Sequence, residues 1–166
     1  MNKFMGIAKE MAEINNNTEF TQGGPFGAVI VKDGKLISVG KNNVLLHKNP
    51  TDHAEISAIE QACKTLGTHD LSGCELYTSC MPCPMCLSAI IWANIKKVYY
   101  GNTKEDAANI GFRDDMIYSV INNIYQNPQD LGNEANKGTL ELVNLDRDET
   151  ITTFEDFKNQ EEKTIY

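Results

Sequence analysis

The sequence predicts an α/β fold, on three observations. Short β-rich runs alternate with segments whose apolar residues recur at helical spacing. Strong turn signals punctuate them. The order strand, helix, strand, helix, strand over residues 35–101 implies parallel pairing with helices packed on the sheet. At 166 residues, the chain has the usual size of one compact domain with a buried core, and it reads as a single domain over 1–166. No internal repeat or low-complexity linker divides it.

The elements follow in order. Residues 2–16 place Phe4, Ile7, Ala8, Met11 and Ile14 at helical spacing and predict an opening amphipathic helix. Gly23-Gly24-Pro25 is a turn. The apolar run Phe26–Lys32 is a strand, Asp33-Gly34 a hairpin turn, and Lys35–Asn42 the returning strand. Asp52–Leu66 reads as a helix. Asp52 is its expected N-cap, Glu55 completes a capping-box pattern, and Ile56, Ile59, Cys63 and Leu66 form its apolar stripe before Gly67. Cys74–Ser79 is a third strand, Cys83–Ala93 a second core helix and Lys97–Gly101 a fourth strand. Lys104–Asn109 fits a short helix, and 122–138, rich in Asn, Gln and Gly, a loop or insertion. Thr139–Val143 is a fifth strand candidate and Phe154–Lys163 a charged closing helix.

Composition narrows the function classes. The 41% hydrophobic and 23% charged content is that of an ordinary globular protein. No apolar run is long enough to span a bilayer. Charges interrupt the N-terminal segment where a signal peptide would carry its apolar core, so a cytoplasmic protein is expected. Five cysteines, an odd count without a signal peptide, favour reduced thiols over a disulfide scaffold. The formal net charge of −8 sets 15 basic residues against 23 acids and disfavours nucleic acid as a partner, because such binding neutralises phosphates with Lys and Arg.

Two short motifs carry the chemistry: His53-Ala54-Glu55 and Pro82-Cys83-Pro84-Met85-Cys86. The 26 residues between Glu55 and Pro82 hold a helix, a turn and a strand, so each motif opens a helix at one edge of the same sheet, where ligand sites of open α/β sheets form. Cys83 and Cys86 share a face of the first helical turn and suit one tetrahedral ion. With His53 they give Zn²⁺ three protein ligands. A structural site normally has four, and a catalytic one keeps a position open for water. Cys80 lies on the strand end before Pro82 and is a poor fourth ligand. Glu55, about 200° from His53 on a regular helix, is badly placed as a second ligand and well placed as a carboxylate that handles protons. The helix N-termini favour the thiolates. Taken singly, Cys-x-x-Cys, a cap glutamate and a buried histidine are commonplace. Together they match the H-x-E…P-C-x-x-C signature of zinc base deaminases.

With those residues in view, the chain resembles the cytidine deaminase-like superfamily, and within it most closely the bacterial guanine deaminases. The resemblance runs from Gly23-Gly24-Pro25-Phe26 through Asn42-Asn43, Pro50–Glu55, Ser79–Cys86 and Trp92-Ala93 to Gly111-Phe112-Arg113-Asp114 and Ile117-Tyr118, roughly two-thirds of the chain. The metal motif is common to the superfamily. Asn42, Trp92, Asp114 and the terminal tyrosine point to the guanine branch.

The resemblance implies a three-layer α/β/α sandwich with a five-stranded mixed sheet. It implies Zn²⁺ on His53, Cys83 and Cys86, with Glu55 as the proton shuttle. Asp114 is implied as a second proton carrier or a base contact, with Asp115 its neighbour and competitor. Phe26, Asn42, Ala54 and Trp92 are implied around a purine base. A homodimer is implied in which a C-terminal segment of about 145–166 is exchanged and Tyr166 closes the partner's site. Two positions depart from the pattern. Met81 stands where glutamate is usual, and Asp52 stands where a small residue is common; residues 122–138 also run longer than the usual tail. Trp92, after Ile90 and Ile91, reads equally well as core, Asn42 as a strand-end turn residue, and Tyr166 as a frayed end.

The activity so implied is hydrolysis of guanine to xanthine and ammonia, in purine salvage or catabolism. Deamination of cytosine, guanosine or tRNA adenosine is the nearest rival, and a zinc-stabilised purine-binding module is the non-enzymatic one.

Overall fold

A computed structural model describes residues 2–126 together with Ile151, Thr152 and Phe154. The chain forms two compact units, Met1–Asp114 and Asp115–Tyr166. The first contains α1 (Lys3–Asn16), β1 (Gly27–Lys32), β2 (Lys35–Lys41), α2 (Val44–His47), α3 (Ala54–Leu66), β3 (Cys74–Cys80), α4 (Pro84–Trp92), β4 (Lys97–Asn102) and α5 (Lys104–Asn109). The second contains α6 (Asp115–Gln126). Among the described residues no helix is long and apolar enough to cross a membrane.

Local chemistry sets most boundaries where the sequence places them. Asn2 caps α1, its side chain accepting from the Phe4 and Met5 amides. Asp33 and Gly34 both take positive φ (49° and 71°), as a tight hairpin between right-twisted strands requires. Gly67 ends α3 in the left-handed conformation. Thr103 and Asp106 close a capping box on α5.

The sheet order is β2-β1-β3-β4. β1 runs antiparallel to both β2 and β3, and β3 runs parallel to β4. The expected parallel pairing therefore holds for β3 and β4 alone. Because β1 lies between β2 and β3, the sheet is mixed. It has four strands among the described residues, and the fifth candidate, Thr139–Val143, lies outside them, as does most of Phe154–Lys163.

β1 is apolar on both faces. Ala28 and Ile30 join a core with Ala54, Ala58, Ala62, Leu76 and Ile90, while Val29 and Val31 join one with Ala8 and Tyr77.

One local reading is extended and two need correction. The fully buried face of α3 is Ala54, Ala58 and Ala62, and Ile59, Cys63 and Leu66 of the expected stripe pack half-buried against the same core. The cause is close approach to the sheet: a Cβ built on Gly40 of β2 would lie 2.2 Å from the Ala54 carbonyl oxygen and 2.6 Å from the Ala58 nitrogen. The helix backbone rests on the strand, and only small residues fit between them. Asp52 is not the cap of α3. His53 holds that position without a capping hydrogen bond, and the Asp52 carboxylate pairs with His47 Nδ1 at 2.5 Å instead. Residues 122–126, read as part of a loop, continue α6. Met116, Ile117, Val120, Ile121 and Ile124 recur at helical spacing there and override the weak helix preference of the asparagines.

The Gly40 contact yields a test. Gly40→Ala should lower stability by about 1–3 kcal/mol through overpacking, read as a fall in Tm. An unchanged Tm would mean that the helix does not rest on the strand as described.

Candidate metal centre

The centre forms where α3 and α4 begin. His53 and Cys83 are the N-cap residues of these helices, both extended (φ −73°, ψ 161°; φ −67°, ψ 169°), and neither uses its side chain to cap. Pro84 follows at the first helical position, where no N–H is needed and its fixed φ suits the turn. Cys86 lies three residues into the same turn and is fully buried.

His53, Cys83 and Cys86 place one donor atom each within 4.8 Å of one another. His53 Nδ1 lies 3.6 Å from each sulfur. Zinc bonds of about 2.0–2.1 Å to nitrogen and 2.3 Å to sulfur, at a tetrahedral angle, put N and S about 3.6 Å apart. The donor set, the spacing and the burial fit zinc. Three protein donors also match a catalytic rather than a structural site.

Glu55, two residues beyond His53 in the first turn of α3, is 6% exposed. Thr78 of β3 donates its hydroxyl to Glu55 Oε1 at 3.0 Å, and the Cys86 thiol approaches Oε2 at 3.4 Å. Burial raises the carboxyl's pKa, partly opposed by the Thr78 hydroxyl. Such a group sits nearer neutrality than a solvated glutamate and is suited to accept and return protons.

The donors share protons. A hydrogen bond from Cys86 pulls the Cys83 thiol down to about 4, helped by His53. The same bond to Cys83, together with burial, pushes Cys86 up. The bond to Cys83 also raises His53 above the ordinary imidazole value. A cation binding here displaces these protons.

Cys80 stands apart. Its thiol points to the Thr103 carbonyl at 3.5 Å and is pushed up to about 11, first by burial. Cys63 and Cys74 pack against the core and are likewise raised by burial.

The other expected residues are placed unevenly. Ala54 opens α3 fully buried, its carbonyl against Gly40. Phe26 meets Phe112 edge to face, with ring centroids 4.9 Å apart. Asn42 is buried, and its Oδ1 accepts from the Gly24 and Val44 amides, each at 3.3 Å. Asp114 is close enough to Cys80 to raise that thiol. Trp92 ends α4, at the opposite end from Cys83, and is 69% exposed, so it is not core. Tyr166 lies outside the described residues. Sequence reasoning missed Thr78, because nothing in the run Leu76-Tyr77-Thr78-Ser79 marks one hydroxyl as a carboxylate partner.

Comparison with known proteins agrees with this geometry. Residues 1–102 match the cytidine and deoxycytidylate deaminase zinc-binding region. Guanine deaminase of Bacillus subtilis (strain 168) is 45% identical over 144 residues, 87% of this chain and 86% of that protein. The X-ray structure of guanine deaminase from Bacillus subtilis matches with a TM-score of 0.84 at 42% identity, covering 100% of this chain and 99% of that one. The tRNA-specific adenosine deaminase of Aquifex aeolicus (strain VF5) is 49% identical over 76 residues, 46% of this chain and 50% of that protein.

Two tests follow from the proton and donor arrangement. Cys86→Ala should lose bound zinc, and the wild type should release zinc as pH falls, since His53 and Cys86, both raised, then keep their protons; metal content after dialysis over a pH series measures both, and full retention in the variant contradicts the donor set. Thr78→Val removes the hydroxyl that favours the Glu55 anion, so the acidic limb of the pH–rate profile should move to higher pH.

Proposed function

The chain belongs to the cytidine and deoxycytidylate deaminase zinc-binding family, and we propose that within it the protein hydrolyses guanine to xanthine and ammonia. The observation that carries the chemistry is the buried Glu55 carboxylate beside the His53–Cys83–Cys86 donor set. The choice of base rests on the near full-length similarity to guanine deaminase, against a match to about half of the tRNA-specific enzyme. The net charge of −8 also opposes a tRNA substrate.

His53, Cys83 and Cys86 would hold the zinc, which supplies a Lewis acid able to lower the pKa of water to about 7. Glu55 takes a proton from the attacking water. The oxygen adds to C2 of guanine, and Glu55 returns protons to the ring nitrogen and to the leaving amine. One water is consumed, one ammonia departs and xanthine remains. Backbone N–H groups at the start of α4 favour developing negative charge. Phe26, Asn42 and Ala54 line the base in this reading, with Asp114 as a second proton carrier.

The exposed Trp92 and the C-terminal Tyr166 belong, in the same proposal, to a homodimer in which the segment at about 145–166 is exchanged and Tyr166 reaches the partner's site. Thr139–Val143 would then supply the fifth strand of a three-layer α/β/α sandwich, within one deaminase domain over 1–166. A cytoplasmic role in purine salvage or catabolism follows from this substrate.

Ammonia release by zinc-loaded protein on guanine, guanosine, adenine, cytosine and cytidine tests the assignment. Release from guanine, with xanthine as co-product, is expected; release only from another base moves the substrate and keeps the chemistry, and silence on all five overturns the proposal. Glu55→Ala should keep its zinc and lose turnover by about 10²–10⁴-fold.

A further inference from the structure

We propose that Asn15 and Lys41 are positioning residues that lock the Asn42 side chain with its NH₂ group toward the base, making the site selective for a purine whose facing edge carries a hydrogen-bond acceptor. The inference rests on the reading of this site as a purine deaminase's.

Asn42 is 4% exposed, and among the described residues both hydrogen bonds to its side chain end on Oδ1, from the Gly24 and Val44 amides. Its Nδ2 has no protein acceptor among the described residues. A buried carboxamide normally satisfies its two N–H donors, so two left over call for a ligand acceptor. The oxygen is already committed to backbone donors. The side chain therefore offers a donor and not an acceptor.

What holds that orientation lies behind it. Asn15, at the end of α1, is completely buried. Its Nδ2 donates to the Gly24 carbonyl and to the Asn42 carbonyl, both at 2.8 Å, tying together the two loops that meet at Asn42. Its Oδ1 accepts from Lys41 Nζ at 3.2 Å. Lys41 Nζ also donates to Gln22 Oε1 at 2.8 Å and to Asn43 Oδ1 at 2.6 Å. All three ammonium protons thus go to neutral amide oxygens. Asn43 Nδ2 donates back to the Lys41 carbonyl at 3.2 Å. Gly23 seals the arrangement, since a Cβ there would lie 2.3 Å from Asn42 Oδ1. A network this saturated fixes a single orientation of the loops it joins. None of its side chains belongs to the metal donor set.

The test is steady-state kinetics on zinc-loaded wild type, Asn15→Asp and Lys41→Met. Asn15→Asp keeps volume and an acceptor for Lys41 but removes both donations to the loop carbonyls; Lys41→Met keeps the stem and removes the charge. Each is expected to raise KM about tenfold, the equivalent of one hydrogen bond, with kcat within about threefold of wild type and zinc content unchanged. In Asn15→Asp the released Asn42 amide can turn its oxygen to the base. The purine 2,6-diaminopurine, with an amino donor where guanine has its 6-oxo acceptor, should then gain on guanine as a competing ligand by about tenfold. Unchanged KM in both variants, a loss of zinc and kcat with KM held, or an unchanged preference between the two purines would each overturn the proposal. Wild-type turnover of guanine is the separate check on the function itself. Should the wild type take another base, the KM comparison is run on that base and still decides the role of the network.

Discussion

The site depends on how low the helices sit on the sheet. Ordinary carbon contacts fall at about 3.5–4.0 Å. The positions that Cβ atoms would occupy on Gly40 and Gly27 are 2.2 Å from the Ala54 oxygen and 2.1 Å from the Ala8 oxygen. Glycine on the strand and alanine on the helix are what permit both approaches. On one face this fixes the height of α3, and with it His53 and Glu55 at its start. On the other it fixes α1, whose last turn carries Asn15. Larger side chains at either contact would lift a helix and carry its functional residues away with it. A rigid interior transmits such shifts instead of absorbing them.

Within that frame, electrostatics explains why acidic and sulfur groups collect in a dry place. An isolated buried carboxylate is costly unless it is hydrogen-bonded. Glu55 has the Thr78 hydroxyl on one oxygen and the Cys86 thiol beside the other. The Cys83 thiolate is held by its neighbour's proton and by the positive end of α4. Each group is tolerated because the others are there.

The metal centre was legible because its chemistry restricts residue type and spacing together. Few other needs place a histidine two residues from a glutamate and a Cys-x-x-Cys after a strand. The capping reading failed for an instructive reason: Asp52 and Glu55 have the residue types of a capping box, yet tertiary partners claim both. Asp52 turns to His47, and Glu55 turns inward to Thr78. The alanine face of α3 was hidden because a search for large apolar residues overlooks a contact that demands small ones. The insertion of β1 between β2 and β3 was missed for a similar reason, since chain order does not fix sheet order. Trp92 beside Ile90 and Ile91 looks like core in one dimension, but Ile90 alone of the three turns to the core, while Ile91, at 68% exposed, shares the outward side with Trp92. The amides around Asn42 are individually ordinary, and only their convergence gives them a role.

The donors of the metal centre come from chain positions 30 residues apart, His53 and Cys83. An ion bound to both is a cross-link that closes a long loop, and loop closure restricts the unfolded chain more than the folded one. Binding and folding then become one equilibrium, because an ion that prefers the assembled donors stabilises the native state in proportion to its free concentration. The lifetime of this protein against unfolding and proteolysis is accordingly coupled to zinc supply. Metal scarcity would deplete the folded molecule as well as silence its chemistry.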